Sequence, residues 1–326
     1  MFRSLVPLFA LAAPLLAQPD APLRFAWKAG QTHTYKVQQT TTVDELTLDE
    51  KAKTPTPVKT VTTLNSTKTW TVKEVDKAGV ATLEMSVAAM KHDVTQTVGT
   101  NKPITRTVDS ANPDDAKAMP FLGKPILTAK VDPQGRLVEA KSDNPVAADR
   151  LQVELPFRLI LPDGAPTKDA TWSRPVAIKL PPPVGTGESF DGTQRYTFQG
   201  MKDAYAVVGF ATTLKSPPTD SAVMPALVPV LWEGSLFFDT KAGRYHGAKL
   251  TAKGEVTNHQ GEGTKFGYVS EYVEAAKTRF RAHFLLNSPH PAPNLLDAER
   301  GCNSVVEYLV ANEVVVGSSP ITRSAE

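Results

Sequence analysis

Three times in this chain an apolar strand pattern runs into an aspartate, crosses a short polar link, passes a glycine and leaves as a second strand pattern. The clearest copy spans Pro125 to Lys141. Leu127, Ala129 and Val131 alternate with Thr128 and Lys130, the period of a half-buried strand. Asp132-Pro-Gln-Gly135 follows, with a side chain that can cap local amides, a proline of preset φ and a glycine free to take positive φ. The second copy turns at Asp76-Lys-Ala-Gly79, the third at Asp239-Thr-Lys-Ala-Gly243. Repeated hairpins of this kind build antiparallel sheet. A calcium loop needs several oxygen ligands together, and each turn brings one carboxylate, so these aspartates read as turn formers.

The rest of the chain keeps the same grammar. Leu23–Trp27 alternates as a first strand, and His33–Val37 continues through a threonine-rich run to Leu46. Residues 49–57 are a polar, proline-broken loop; Val58–Asn65 and Thr67–Val75 resume the pattern. Leu83, Met85 and Val87 share one face of the next strand, and His92–Val98 reads as a further one. Thr193–Gln199 and Ala204–Leu214 form another hairpin, and residues 216–232 are apolar and proline-broken. Helices are few, as 27 prolines in 326 residues require. Two starts carry helix signals: Asn112-Pro113 followed by Asp114 and Asp115, and Asn144-Pro145 leading to Leu155, where Pro156 ends the run. The expected fold is mainly β: one large, antiparallel, curved sheet or open barrel with one or two short helices. Residues 18–280 form its domain, with a proline- and glycine-rich connector at 181–192 as the one internal place for a boundary.

Residues 1–17 read as a secretory signal, with Arg3, an apolar run from Leu5 to Leu16, and Ala17 at the cut. That run is too short for a permanent transmembrane anchor. Gln18 stands where a lipoprotein needs cysteine, so no lipid anchor is expected and the mature chain is read as soluble, periplasmic or secreted. Cys302 is the single cysteine, which excludes an intramolecular disulfide. A net charge of +2, spread along the chain, does not make a nucleic-acid surface.

Catalytic signatures are missing. No phosphate loop, nucleophile elbow or zinc spacing occurs, and the six histidines (33, 92, 246, 259, 283, 290) are scattered. A hydrolase would need histidine and acidic side chains to converge from distant positions. The reading is therefore of a non-enzymatic exported domain, without cofactor or metal, that binds something or has an envelope-structural part. The alternative is a carrier of lipid or another apolar ligand in a concave sheet. Phe266, Tyr268 and Tyr272 line one strand face, and Trp232 closes the apolar stretch from Met224; these four are the candidate ligand-lining residues. A dry hollow on the concave face would favour the carrier, and a filled core the structural role.

Four features together resemble a family of bacterial secreted proteins that carry a domain of unknown function: Leu23, Phe25, Gly30 and Tyr35 at the entry, the Asp-x-x-Gly hairpins, the Leu155-Pro156 to Trp172 segment, and Phe238-Asp239. The resemblance spans roughly residues 23–275 and brings no catalytic residues with it.

The tail, residues 285–326, breaks the pattern. Gly317-Ser-Ser-Pro320 back-translates to GGT TCG AGT CCC, the T-arm of a transfer RNA, and Leu309-Val-Ala-Asn312 to an anticodon arm reading GCC. Gly301 to Glu307 accommodates the acceptor and D-arm, and Ile321-Thr-Arg323 the closing acceptor strand. The tail thus reads as translated from a glycine transfer-RNA gene, which leaves Cys302 without a redox or metal role.

Overall fold

A computed structural model describes residues 19, 21–48, 54–182 and 185–277; the leader and the tail lie outside them. The domain is mainly β, as the sequence led one to expect. Its strands are β1 (Thr32–Leu48), β2 (Pro55–Val75), β3 (Ala81–Val98), β4 (Ile104–Asp109), β5 (Pro125–Val131), β6 (Leu137–Lys141), β7 (Thr171–Leu180), β8 (Glu188–Lys202), β9 (Tyr205–Leu214), β10 (Glu233–Asp239), β11 (Arg244–Thr257) and β12 (Lys265–Ala276). Three short helices accompany them: α1 (Pro113–Lys117), α2 (Pro145–Glu154) and α3 (Met224–Leu227), the last running into a 3-10 turn at Val228–Val230.

All strands belong to one antiparallel sheet in the order β6-β5-β3-β2-β1-β12-β11-β10-β9-β8-β7, with β4 beside β3. The first and last strands meet at its centre, Tyr35 opposite Ala276 and Leu46 opposite Lys265. Two meanders therefore spread outward from the middle, and the chain passes from one margin, β6, to the other, β7, through α2 and residues 155–170.

The sheet curls strongly. Phe25 N–H donates to Pro133 O in the β5–β6 turn, while the next residue, Ala26, donates to Gly243 O in the β10–β11 turn. Those turns lie six strand spacings apart along the sheet, roughly 29 Å if it were flat. The margins converge as well. Trp172 Nε1, on β7, donates to Ile160 O, and Leu161 N–H donates to Gln134 O in the β5–β6 turn. An open barrel results, its inner face buried and its outer face carrying the threonines and charges.

The three Asp–Gly turns gather at one mouth of this barrel. Asp132 Oδ1 accepts from the amides of Gln134 and Arg136, and Asp76 Oδ1 from those of Ala78 and Val80. Asp239 Oδ1 accepts from Lys241 and Ala242. Leu23–Trp27 is not a strand of the sheet. Its alternation arises because Leu23 and Phe25 pack into the core while its backbone ties two turns together. Residues 92–98 continue β3 rather than forming a separate strand. Of the expected connector at 181–192, residues 188–192 belong to β8, and Leu180 at the end of β7 lies opposite Glu188. Both helix signals hold; Asn112 Oδ1 accepts from Asp114 N–H at the start of α1, and α2 ends just before Leu155-Pro156.

Candidate functional site

The inner face is built by simple alternation. On β2 the inward positions include Leu64, Ser66, Lys68, Trp70 and Val72; on β12 they are Phe266, Tyr268, Ser270, Tyr272 and Glu274. Lys68 and Glu274 thus occupy inward positions, on strands flanking β1, and are 8 % and 1 % exposed. Lys68 Nζ lies 2.5 Å from Glu274 Oε1. The other carboxylate oxygen accepts from Tyr245 OH at 3.0 Å and Tyr272 OH at 2.9 Å. Burial, and then the Glu274 charge, push both phenols well above their ordinary range, so they stay protonated as donors.

Over this floor passes Leu155-Pro156-Phe157-Arg158-Leu159, the segment after α2. Leu155 and Arg158 both hold positive φ, 56° and 52°, a strained conformation for residues with a Cβ. Phe157 stands among the rings of Phe25, Trp27, Tyr35, Trp70 and Tyr245, with centroids 5.6–6.0 Å away. Arg158 is 6 % exposed; its guanidinium donates to Glu154 Oε2 at 3.1 Å and lies 4.9 Å from the Tyr272 ring and 5.5 Å from the Trp232 ring. Burial alone would lower the Arg158 pKa, but Glu154, then Tyr272 and Glu274, outweigh it and the net direction is upward.

The segment is tied at its two ends. On one side Arg174 donates to Gln152 O and Val153 O, and Gln194 Nε2 also donates to Val153 O. On the other side stand the Ile160 and Leu161 bonds already described. Among the described residues, no hydrogen bond joins Leu155–Leu159 to the strands beneath. What remains between plug and floor is a void of about 30 Å³, lined by Lys68, Trp70, Glu154, Arg158, Tyr272 and Glu274 among others.

The four candidate residues all sit on this inner face. Trp232, Phe266, Tyr268 and Tyr272 are buried, with Trp232 and Tyr272 rings 5.9 Å apart and Phe266 stacked on Tyr268 at 6.2 Å. Tyr272 borders the small void, and Tyr268 borders a wide open groove at the far end of β1, β2, β11 and β12. The sequence reading missed Lys68, Glu154, Arg158 and Glu274. Two of them carried a legible signal: a charge in the inward phase of a strand that otherwise buries uncharged side chains, between Ser66 and Trp70 and two residues beyond Tyr272.

Among the described residues no group of histidine, cysteine and carboxylates is placed to hold a metal ion. His246 stacks on Tyr205 and His33 packs edge-on to Trp27. Asp114 pairs with Lys117, and Asp115 accepts from Asp109 N–H. No helix among them is long and apolar enough to cross a membrane.

No family model matches the chain, and no curated protein matches it. Among solved structures, a chain from a study of lipid–protein interactions in lipovitellin is similar with a TM-score of 0.42 and 8 % identity. The match covers 86 % of this chain and 28 % of that one, so this chain spans little more than a quarter of its length.

Proposed function

We propose that this is a non-enzymatic binding domain for an apolar chain, seen with its own Leu155–Leu159 segment in the ligand's place. The observation that carries the reading is how the segment is held. It is anchored at both ends, unbonded to the floor in the middle, strained at Leu155 and Arg158, and buried. Its Arg158 is balanced by the adjacent Glu154 at the end of α2, and the floor's Lys68 by Glu274 on the sheet. Lifting the segment would therefore strand no single charge on either side, where an unpaired buried ion costs about 3–5 kcal/mol. The uncovered face would offer a broad apolar lining to which Trp232, Phe266, Tyr268 and Tyr272 contribute.

A second reading is an envelope-structural part with a permanently filled barrel, favoured by the small volume of the void, about 30 Å³. Native mass spectrometry of protein taken from its source, with titration of an apolar dye, separates the two. A retained lipid-sized mass or a saturable rise in dye fluorescence supports the binding domain. Neither, even with added lipid, leaves the structural part.

Export through the leader at residues 1–17 belongs to the same proposal, as does kinship with the secreted family resembled at residues 23–275. Amino-terminal sequencing of exported protein tests the first, with Gln18 expected as the new end. The transfer-RNA origin of the tail is tested by the coding nucleotides, which must fold into a cloverleaf.

A further inference from the structure

We propose that the molecule bound on the inner face carries an uncharged hydrogen-bond acceptor, an ester or similar carbonyl, on its apolar chain. This rests on the binding reading above and names its ligand class. Two indole groups flank the plug: the Trp70 ring lies 5.6 Å from the Phe157 ring, and the Trp232 ring lies under the Arg158 guanidinium. Both indoles are buried, at 1 % and 2 % exposure, and neither Nε1–H has an acceptor among the described residues. A buried N–H without an acceptor is costly, and here two border the same segment, on inward positions of β2 and at the entry to β10. Indole nitrogen only donates, so the missing partner is an acceptor. A molecule replacing Phe157 and Arg158 lies against both of these indoles.

The charge arrangement decides against an anion. With the plug lifted, the floor keeps the Lys68–Glu274 pair, already neutral and already holding the Tyr245 and Tyr272 hydroxyls. A carboxylate entering this face would meet Lys68 already paired with Glu274 and Arg174 already held by Gln194 Oε1, Gln152 O and Val153 O, and would lose its hydration with little compensation. An ester loses little hydration and satisfies an indole.

The test is a fluorescence titration of the full chain with dansyl-undecanoic acid and with its methyl ester at about pH 8, where the acid is ionised. The ester is expected to bind at least about tenfold tighter. Trp70→Phe and Trp232→Phe remove the donor and keep an aromatic ring. Lost packing weakens both probes alike, so the ester-to-acid ratio is the readout, and each substitution is expected to reduce it several-fold. If one variant fails to fold, the other carries this arm. Equal binding, or tighter binding of the acid, overturns the ligand class while leaving the binding domain standing. A preference untouched by either substitution overturns the indole assignment. Binding of neither probe overturns the binding domain itself.

Discussion

Arg158 and Glu154 show most directly what single residues do here. Each is buried in an apolar barrel, and each neutralises the other across the irregular residues that follow α2. Arg158→Met removes the nearer cation and leaves the buried Glu154 carboxylate with Arg150 alone, 4.0 Å away. The expected loss is about 1–3 kcal/mol in urea unfolding. Adding Glu154→Met should return most of it, because a well-packed apolar pair is no worse than a buried ion pair. If the double variant is as unstable as the sum of both single ones, the two charges act independently and the pairing argument fails. Protonation speaks at the same scale. Burial foremost lowers the pKa of His33, His92 and His246 below 6.5. The unfolded chain then binds more protons below that value, so their stabilisation is present above pH 6.5 and is lost as pH falls through the folded values. Burial foremost raises Tyr35, Tyr245 and Tyr272 above 10.0 and pushes Tyr196 up to about 12. Their contribution is whole below pH 10 and is lost as pH rises through the raised values. Urea midpoints measured across the pH range should therefore form a plateau near neutrality with a fall on each side, and a midpoint still rising above pH 10 would contradict this.

At the scale of elements, the β5–β6 turn is where local chemistry and tertiary closure meet. Asp132→Ala removes an acceptor from the Gln134 and Arg136 amides and should cost about 1–2 kcal/mol. Gly135→Ala should cost more, because φ is +86° and a methyl group there runs into the Leu159 carbonyl and the Phe25 ring. Thermal melts of the two variants give the order; a milder effect for Gly135→Ala would show that the plug yields easily at that point. The hairpins, their Asp–Gly turns and both proline-led helices were legible because each is fixed by neighbours in sequence. The strand at Leu23–Trp27 was misread because alternation reports burial on one side and says nothing about where the amides go; here they reach Pro133 and Gly243. The site was half legible. Phe266, Tyr268 and Tyr272 follow from phase and Trp232 from the apolar stretch it closes, while Lys68 and Glu274 break that phase visibly. Arg158 sits in an irregular segment whose inward placement depends on positive φ at a residue that rarely adopts it, and no periodicity announces that.

At the scale of the whole molecule, the barrel is closed by chain rather than by pairing. Its first and last strands lock the centre, and its margins are bridged by residues 142–170 crossing between β6 and β7. Such a design separates a floor of paired strands from a cover tethered at its ends. Hydrogen-exchange mass spectrometry of the full chain tests it directly. The anchors at Gln152, Val153, Ile160 and Leu161 stay bonded while the segment between them lifts. Leu155 N–H donates to Leu151 O, and Phe157 and Leu159 are buried, so static exposure alone gives the segment protection. If it lifts between its anchors, peptides spanning Leu155–Leu159 exchange with an opening free energy well below that of β1, β2 and β12, and saturating dansyl-undecanoic methyl ester changes their exchange while leaving the central strands unaffected. Protection of Leu155–Leu159 equal to that of the central strands, with or without the probe, would mean that the segment opens only when the whole domain unfolds, and would contradict this.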